Sequence, residues 1–166
     1  RICVAVRNLA QSIGGSQVGT VGSVELVPNL VNVVARKAVM TIDLRNTDDD
    51  LLARAIESLE AILNEVANEE DLSITTRSLA RSPAVRFDEG VLEVIERSAR
   101  SLGHPIRRMT SGAGHDAQMM ARICPAAMIF VPSIGGVSHN PREKTAPEHL
   151  QLGADFLLHA LVQLPE

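Results

Sequence analysis

The chain has 166 residues, a length that suits one ordinary domain or two small ones and lets folding bury roughly 70% of the unfolded surface. Its 45% hydrophobic and 22% charged content is that of a globular protein, and no apolar run approaches the ~20 residues needed to cross a bilayer. A net charge of −4 without long runs of one sign, in a chain lacking Trp and Tyr, provides neither the electrostatic footprint nor the stacking surfaces of nucleic-acid binding.

Ile2, Val6, Leu9 and Ile13 recur at helical spacing and Gly14-Gly15 follow as a stop, so residues 2–13 are predicted to be a helix with one buried face. Arg1 rather than Met opens directly into this helix, without the residue order of a signal peptide, and the chain is expected to begin inside a domain. Val18 to Val27 is rich in β-branched residues and reads as a strand, broken by Pro28-Asn29. A second strand runs from Ala38 to Arg45. Its period of two sends Met40, Ile42 and Leu44 to a core face and Thr41, Asp43 and Arg45 to a polar one.

Thr47 with Asp48, Asp49 and Asp50 forms a capped, acidic helix start, and Leu52, Ile56, Leu59, Leu63 and Val66 make the apolar stripe behind it. Leu72 to Leu79 is expected to be another strand, and Arg81-Ser82-Pro83 a linker. Residues 1–82 therefore read as helix, strand, strand, helix, strand, an α+β pattern closing into an antiparallel sheet with helices on one side.

Beyond the linker the order becomes α/β. A helix from Asp88 to Leu102 ends at Gly103; a short strand (Ile106 to Met109), a glycine-rich loop and a helix follow. Ala126 to Val131 is a continuous apolar run, as expected for a strand buried on both faces of a parallel sheet. Thr145-Ala-Pro-Glu148 reads as a capping box, and Leu150, Ala154, Leu157 and Leu161 as the buried stripe of the last helix. Cys3 and Cys124 lie far apart without C-x-x-C spacing, which points to reduced thiols in a cytoplasmic protein.

Ligands of open α/β sheets bind at loops after the carboxyl ends of strands. Two such loops hold the densest polar groups, Thr110-Ser-Gly-Ala-Gly-His-Asp116 and Ser133-Ile-Gly-Gly-Val-Ser-His-Asn-Pro-Arg-Glu143. Gly112 and Gly114 could cradle an anion, but a bare G-x-G is more often an ordinary turn. Ser111, His115 and Asp116 have the residue types of a hydrolytic relay, yet the adjacent His115 and Asp116 point apart. By residue type alone His139 is a loop histidine without a second ligand at metal spacing. Arg45 has the fork that grips a carboxylate through two parallel N–H bonds; the plainer reading is a surface arginine paired with Asp48 or Asp49.

The ordered set T-V-G (20–22), P-N-x-x-N-V-V (28–34), D-L-R (43–45), S-G-A-G-H-D-A (111–117), M-I-F-V-P-S (128–133) and G-x-S-H-N-P-x-E (136–143) resembles the hydantoinase/carbamoylase amidohydrolases of the zinc aminoacylase/carboxypeptidase superfamily. These include N-carbamoyl-L-amino-acid hydrolases, allantoate amidohydrolases and a class of β-ureidopropionases. The resemblance implies a lid and dimerisation domain over residues 1–82, lacking its first strand, and the C-terminal part of an αβα catalytic domain over 83–166. It implies two divalent metals (zinc, manganese, cobalt or nickel) in the intact enzyme, a homodimer formed through the lid, and a small N-carbamoyl or ureido acid as substrate. His139 corresponds to the last metal ligand. Asn32 and Arg45 correspond to residues that hold the substrate carboxylate, Ala113 and Gly114 to a loop against the substrate, and Glu143 to a partner behind the His139 loop.

The family's other metal ligands and its general-base glutamate precede the lid and are not in this sequence, so the isolated chain is expected to bind no metal tightly and to lack turnover. Ala35 also stands where many relatives carry proline. Two rival readings remain at this level: a non-catalytic dimerisation module, and a self-contained hydrolase built on Ser111 and His115.

Overall fold

A computed structural model describes residues 1–164 and divides the chain into two compact units, Arg1–Ala84 and a second beginning at Val85. In the first, helix α1 spans Ile2–Ile13 and buries Val6 and Leu9, the two central positions of its apolar stripe. It stops where Gly14 and Gly15 take φ of 69° and 60°, a region glycine enters without a Cβ penalty. Strands β1 (Val18–Val27) and β2 (Lys37–Arg45) form an antiparallel pair whose register runs from Val18 opposite Arg45 to Val27 opposite Lys37, with one irregularity between Val21 and Ser23. Met40, Ile42 and Leu44 are half-buried while Thr41, Asp43 and Arg45 are exposed, the alternation expected when helices cover one face. Gly19 lets α1 approach that face: a Cβ there would lie 3.2 Å from both Val6 and Ala10.

Helix α2 (Asp49–Glu69) begins at Asp48, whose carboxylate accepts the Asp50 and Leu51 N–H groups at 2.9 and 3.0 Å. It buries Ala55, Leu63 and Val66 and packs on α1 and β2. The strand expected at 72–79 does not form. Only β1 and β2 are hydrogen-bonded as a sheet among the described residues, and Leu72 instead turns its N–H back to the Ala67 carbonyl at 2.8 Å. An apolar, β-prone run becomes a strand only when a neighbour supplies its ladder.

In the second unit, helix α3 (Glu89–Ser101) is capped by Asp88, which accepts the Val91 N–H at 2.9 Å, and ends before Gly103 at φ 77°. A four-residue helix α4 (Ala117–Met120) and the last helix α5 (Pro147–Gln163) follow. Val94, Ser98 and Ala99 of α3 and Phe156 and Ala160 of α5 form the core between these packed helices. Ser98, fully buried, is satisfied twice: it donates to the Val94 carbonyl at 2.9 Å and accepts from Gln163 Nε2 at 3.0 Å.

Three expectations fail in this unit. Residues 106–109 and 126–131 are not strands, because they too lack a ladder partner among the described residues; the Ala126 carbonyl accepts the Asp88 N–H instead. The capping box is absent: Ala146 is the N-cap, Thr145 lies outside the first turn, and Pro147, with no N–H of its own, opens the helix. The stripe Leu150, Ala154, Leu157 and Leu161 is exposed, and α5 buries Phe156 and Ala160 instead. The apolar run at 126–131 is covered by α5 through Gly153, where a Cβ would sit 2.6 Å from Val131 Cγ1.

Candidate functional site

Arg45 ends β2 beside a polar knot that joins the turn before β1 to the turn after β2. Ser16 Oγ donates to Asn46 Oδ1 at 2.8 Å, Asn46 Nδ2 donates to Gln17 Oε1 at 2.9 Å, and the Asp48 N–H reaches Asn46 Oδ1 at 3.0 Å. The guanidinium is gripped side-on by Asp43, Nε donating to Oδ1 at 2.7 Å and Nη2 to Oδ2 at 2.9 Å. This corrects the expected pairing with Asp48 or Asp49, whose carboxylates cap α2 and accept the Ala84 N–H respectively. The signal was in the strand period: residues two apart share a face, so Asp43 was the nearer carboxylate. The Arg45 hydrogen bond, helped by its charge, holds the Asp43 carboxyl below the ordinary aspartate range against a smaller opposing effect of burial.

Asn32 lies in the exposed loop joining β1 to β2, at the other end of the ladder. Lys37 to Arg45 is eight residue steps, about 26 Å at ~3.3 Å each. The five steps from Asn32 to Lys37, fully stretched back, recover only about 17 Å. Asn32 and Arg45 thus belong to opposite ends of the hairpin, and the backbone path sets only a lower bound of about 9 Å between their Cα atoms.

In the second unit, the loop before α4 holds Ala113 half-buried and Gly114 exposed. Ser111 Oγ accepts the Ala113 N–H at 3.2 Å, and His115 Nδ1 accepts the Ala117 N–H at 3.0 Å. With Nδ1 accepting, that nitrogen cannot carry the proton an Asp-oriented relay requires, which removes the physical basis for a Ser111–His115–Asp116 triad.

His139 occupies a short closed turn. Its backbone lies at φ 52°, uncommon for a residue with a Cβ, and its N–H donates to Glu143 Oε2 at 2.8 Å. The Glu143 N–H returns to the Asn140 carbonyl at 2.8 Å, while Asn140 Oδ1 accepts the Arg142 N–H at 3.0 Å. Pro141 fits the second position of this turn, where φ near −65° is required. The H-N-P-R-E run thus closes on itself through its backbone, and Glu143 serves the main chain of His139.

Among the described residues no three of His, Cys, Asp and Glu gather closely enough to hold a metal ion. His139 is one imidazole, and the donor set present does not by itself fit a resident metal. Neither the groove between α1 and α2, lined by Val4, Leu9, Ile62 and Val66, nor the hollow at Arg86, Asp88 and Cys124 contains any of these candidate residues.

Comparison with known proteins finds a match to the model of peptidase family M20/M25/M40 over residues 6–163. The chain is 34% identical over 152 residues to the N-carbamoyl-L-amino acid amidohydrolase of Geobacillus stearothermophilus, covering 92% of this chain and 37% of that protein. It is 37% identical over 164 residues to the allantoate amidohydrolase of Escherichia coli K12, covering 99% and 40%. A crystal structure of a hydantoinase/carbamoylase family amidase from Burkholderia multivorans superposes with a TM-score of 0.91 at 32% identity, over 97% of this chain and 39% of that one. The chain thus spans about two fifths of the length of these relatives.

Proposed function

Because the chain belongs to peptidase family M20/M25/M40 and is similar to its hydantoinase/carbamoylase amidases, we propose that it works as part of an amidohydrolase acting on N-carbamoyl (ureido) amino acids. The reaction is cleavage of the linear C–N bond to amino acid, ammonia and carbon dioxide. Residues 1–82 serve as lid and dimerisation surface, and 83–166 as the C-terminal segment of the catalytic domain. The observation that carries this reading is similarity over nearly the whole chain to enzymes named for carbamoyl and allantoate substrates, combined with an exposed guanidinium held by Asp43 at the end of β2.

In this reading Arg45 and Asn32 bind the substrate carboxylate or its neighbouring polar atoms, so that binding energy is spent on alignment. The loop at Ala113 and Gly114 lies along the substrate. His139 adds one imidazole to a centre of two divalent metals whose remaining ligands come from outside these 166 residues, and Glu143 keeps the His139 backbone in place. In the same reading the intact enzyme is a homodimer formed through residues 1–82. Two exposed free thiols, Cys3 and Cys124, fit a reducing, cytoplasmic setting.

The test is steady-state kinetics in the enzyme that carries this chain, comparing N-carbamoyl-L-amino acids with their neutral amides. Arg45→Lys keeps the charge but not the two-pronged geometry. It is expected to raise KM for the acids about ten-fold or more, with a smaller effect on the amides. Equal KM values for wild type and variant would refute the assignment of Arg45.

A further inference from the structure

We propose that Asp43 is a positioning residue, which holds the Arg45 guanidinium in a set plane and direction so that an incoming carboxylate meets an already ordered fork. The inference rests on the reading of Arg45 given above and adds a residue to it. Its first support is geometric. Nε to Oδ1 at 2.7 Å and Nη2 to Oδ2 at 2.9 Å are two parallel bonds along one edge of the guanidinium, and two bonds fix a plane where one would leave a pivot.

The second support is where the carboxylate stands. Asp43 and Arg45 are two apart on one face of a strand, and both positions are laddered to β1, Asp43 opposite Thr20 and Arg45 opposite Val18. The turns beside that end are tied through Ser16, Gln17 and Asn46. Asp43 is thus carried by laddered backbone whose end is tied by side-chain hydrogen bonds.

A neighbouring carboxylate also repels an anionic ligand, so the sign of the effect has to be decided. The side chains are 52% exposed for Arg45 and 48% for Asp43, which leaves water and salt free to screen that repulsion. The entropy lost in ordering a long, exposed arginine is not screened, and the two bonds from Asp43 remove part of it before the ligand arrives. Pre-ordering therefore outweighs competition.

The experiment is side-chain NMR on the full 166-residue chain, read at the Arg45 Nε–Hε pair. The chain is titrated with N-carbamoyl-L-alanine and, as control, with the corresponding neutral amide. Expected in the wild type are a positive heteronuclear NOE at Nε, like that of ordered backbone, and a saturable shift with the acid but not with the amide. In Asp43→Asn, with the backbone spectrum of the hairpin unchanged, the NOE should collapse and affinity for the acid fall about five-fold. Asp43→Glu, which keeps the charge, should regain most of the loss.

Equal or tighter binding of the acid by Asp43→Asn would show that Asp43 competes instead of positioning, and would overturn the inference while leaving Arg45 in its role. Identical responses to acid and amide in the wild type, or no response, would remove the role of Arg45 and that of Asp43 with it. If Asp43→Asn unfolds the hairpin, the wild-type NOE decides alone, and a negative value at Nε overturns the proposal.

Discussion

At two places in this chain a carboxylate a few residues away in sequence governs how a candidate ligand-binding side chain is presented. Asp43 acts on Arg45 through side-chain bonds, and Glu143 acts on His139 through the main chain. The left-handed conformation of His139 costs on the order of 1 kcal/mol, which the Glu143 bond offsets. A hydrogen bond to a charged group contributes roughly 1.5–3 kcal/mol when shielded, and about 1 at an exposed turn such as this. Glu143→Ala is therefore expected to speed amide exchange at His139 about five-fold, whereas Glu143→Gln, which keeps an acceptor oxygen, should stay near wild type. Unchanged exchange in the alanine variant would contradict this account of the turn.

The Asp43–Arg45 pair sets a pH dependence at the same scale. Asp43 has its folded-state pKa depressed by the Arg45 hydrogen bond, so its contribution to stability is complete above the unfolded value of 3.8 and is lost as pH falls through the lower folded value. Because the pair is half exposed the contribution is small. A carboxyl-carbon titration should show the Asp43 midpoint below 3.8 in wild type and returned toward it in Arg45→Ala. A wild-type midpoint at or above 3.8 would count against the pair.

Among the elements, α5 carries a glycine in its interior, where alanine would ordinarily stabilise a helix by about 1 kcal/mol. Here the sign should reverse. A Cβ on Gly153 would meet Val131 Cγ1 at 2.6 Å, and overpacking of this kind costs about 1–3 kcal/mol. Urea melts of Gly153→Ala should show a loss of that order, partly restored by adding Val131→Ala. Additive losses in the double variant would mean that the two sites do not share the contact.

Elements that close their own hydrogen bonds were readable from residue pattern alone. Helices 2–13 and Asp49–Glu69 and strand Val18–Val27 appear where periodicity and caps put them, since a helix satisfies its backbone internally and a hairpin needs only its neighbour. Runs 72–79, 106–109 and 126–131 have strand-like composition, but composition cannot name the partner strand, and none is available among the described residues. The Thr145 capping box failed for a local reason: Pro147 moved the helix start one residue past the threonine.

For the whole molecule, the legible part of the site was its inventory and the illegible part its assembly. Arg45 could be placed on a polar strand face by period two, and the S-H-N-P-x-E run singled out by motif. That Asn32 and Arg45 stand at opposite ends of a ladder follows only from the pairing register, which the pattern of apolar residues does not specify at its far end. The exposed stripe Leu150, Leu157 and Leu161 has the same character: its helical spacing was plain, but burial depends on what lies against it.

In the proposed function these 166 residues supply substrate grip and one metal-site imidazole to an amidohydrolase whose remaining catalytic groups lie elsewhere. This is tested most directly by assaying ammonia release from N-carbamoyl-L-amino acids by the purified chain with added zinc or manganese. The expected result is no release above a metal-only blank from the chain alone, and saturable release once the missing catalytic part is supplied. Saturable turnover by the chain alone would contradict the account.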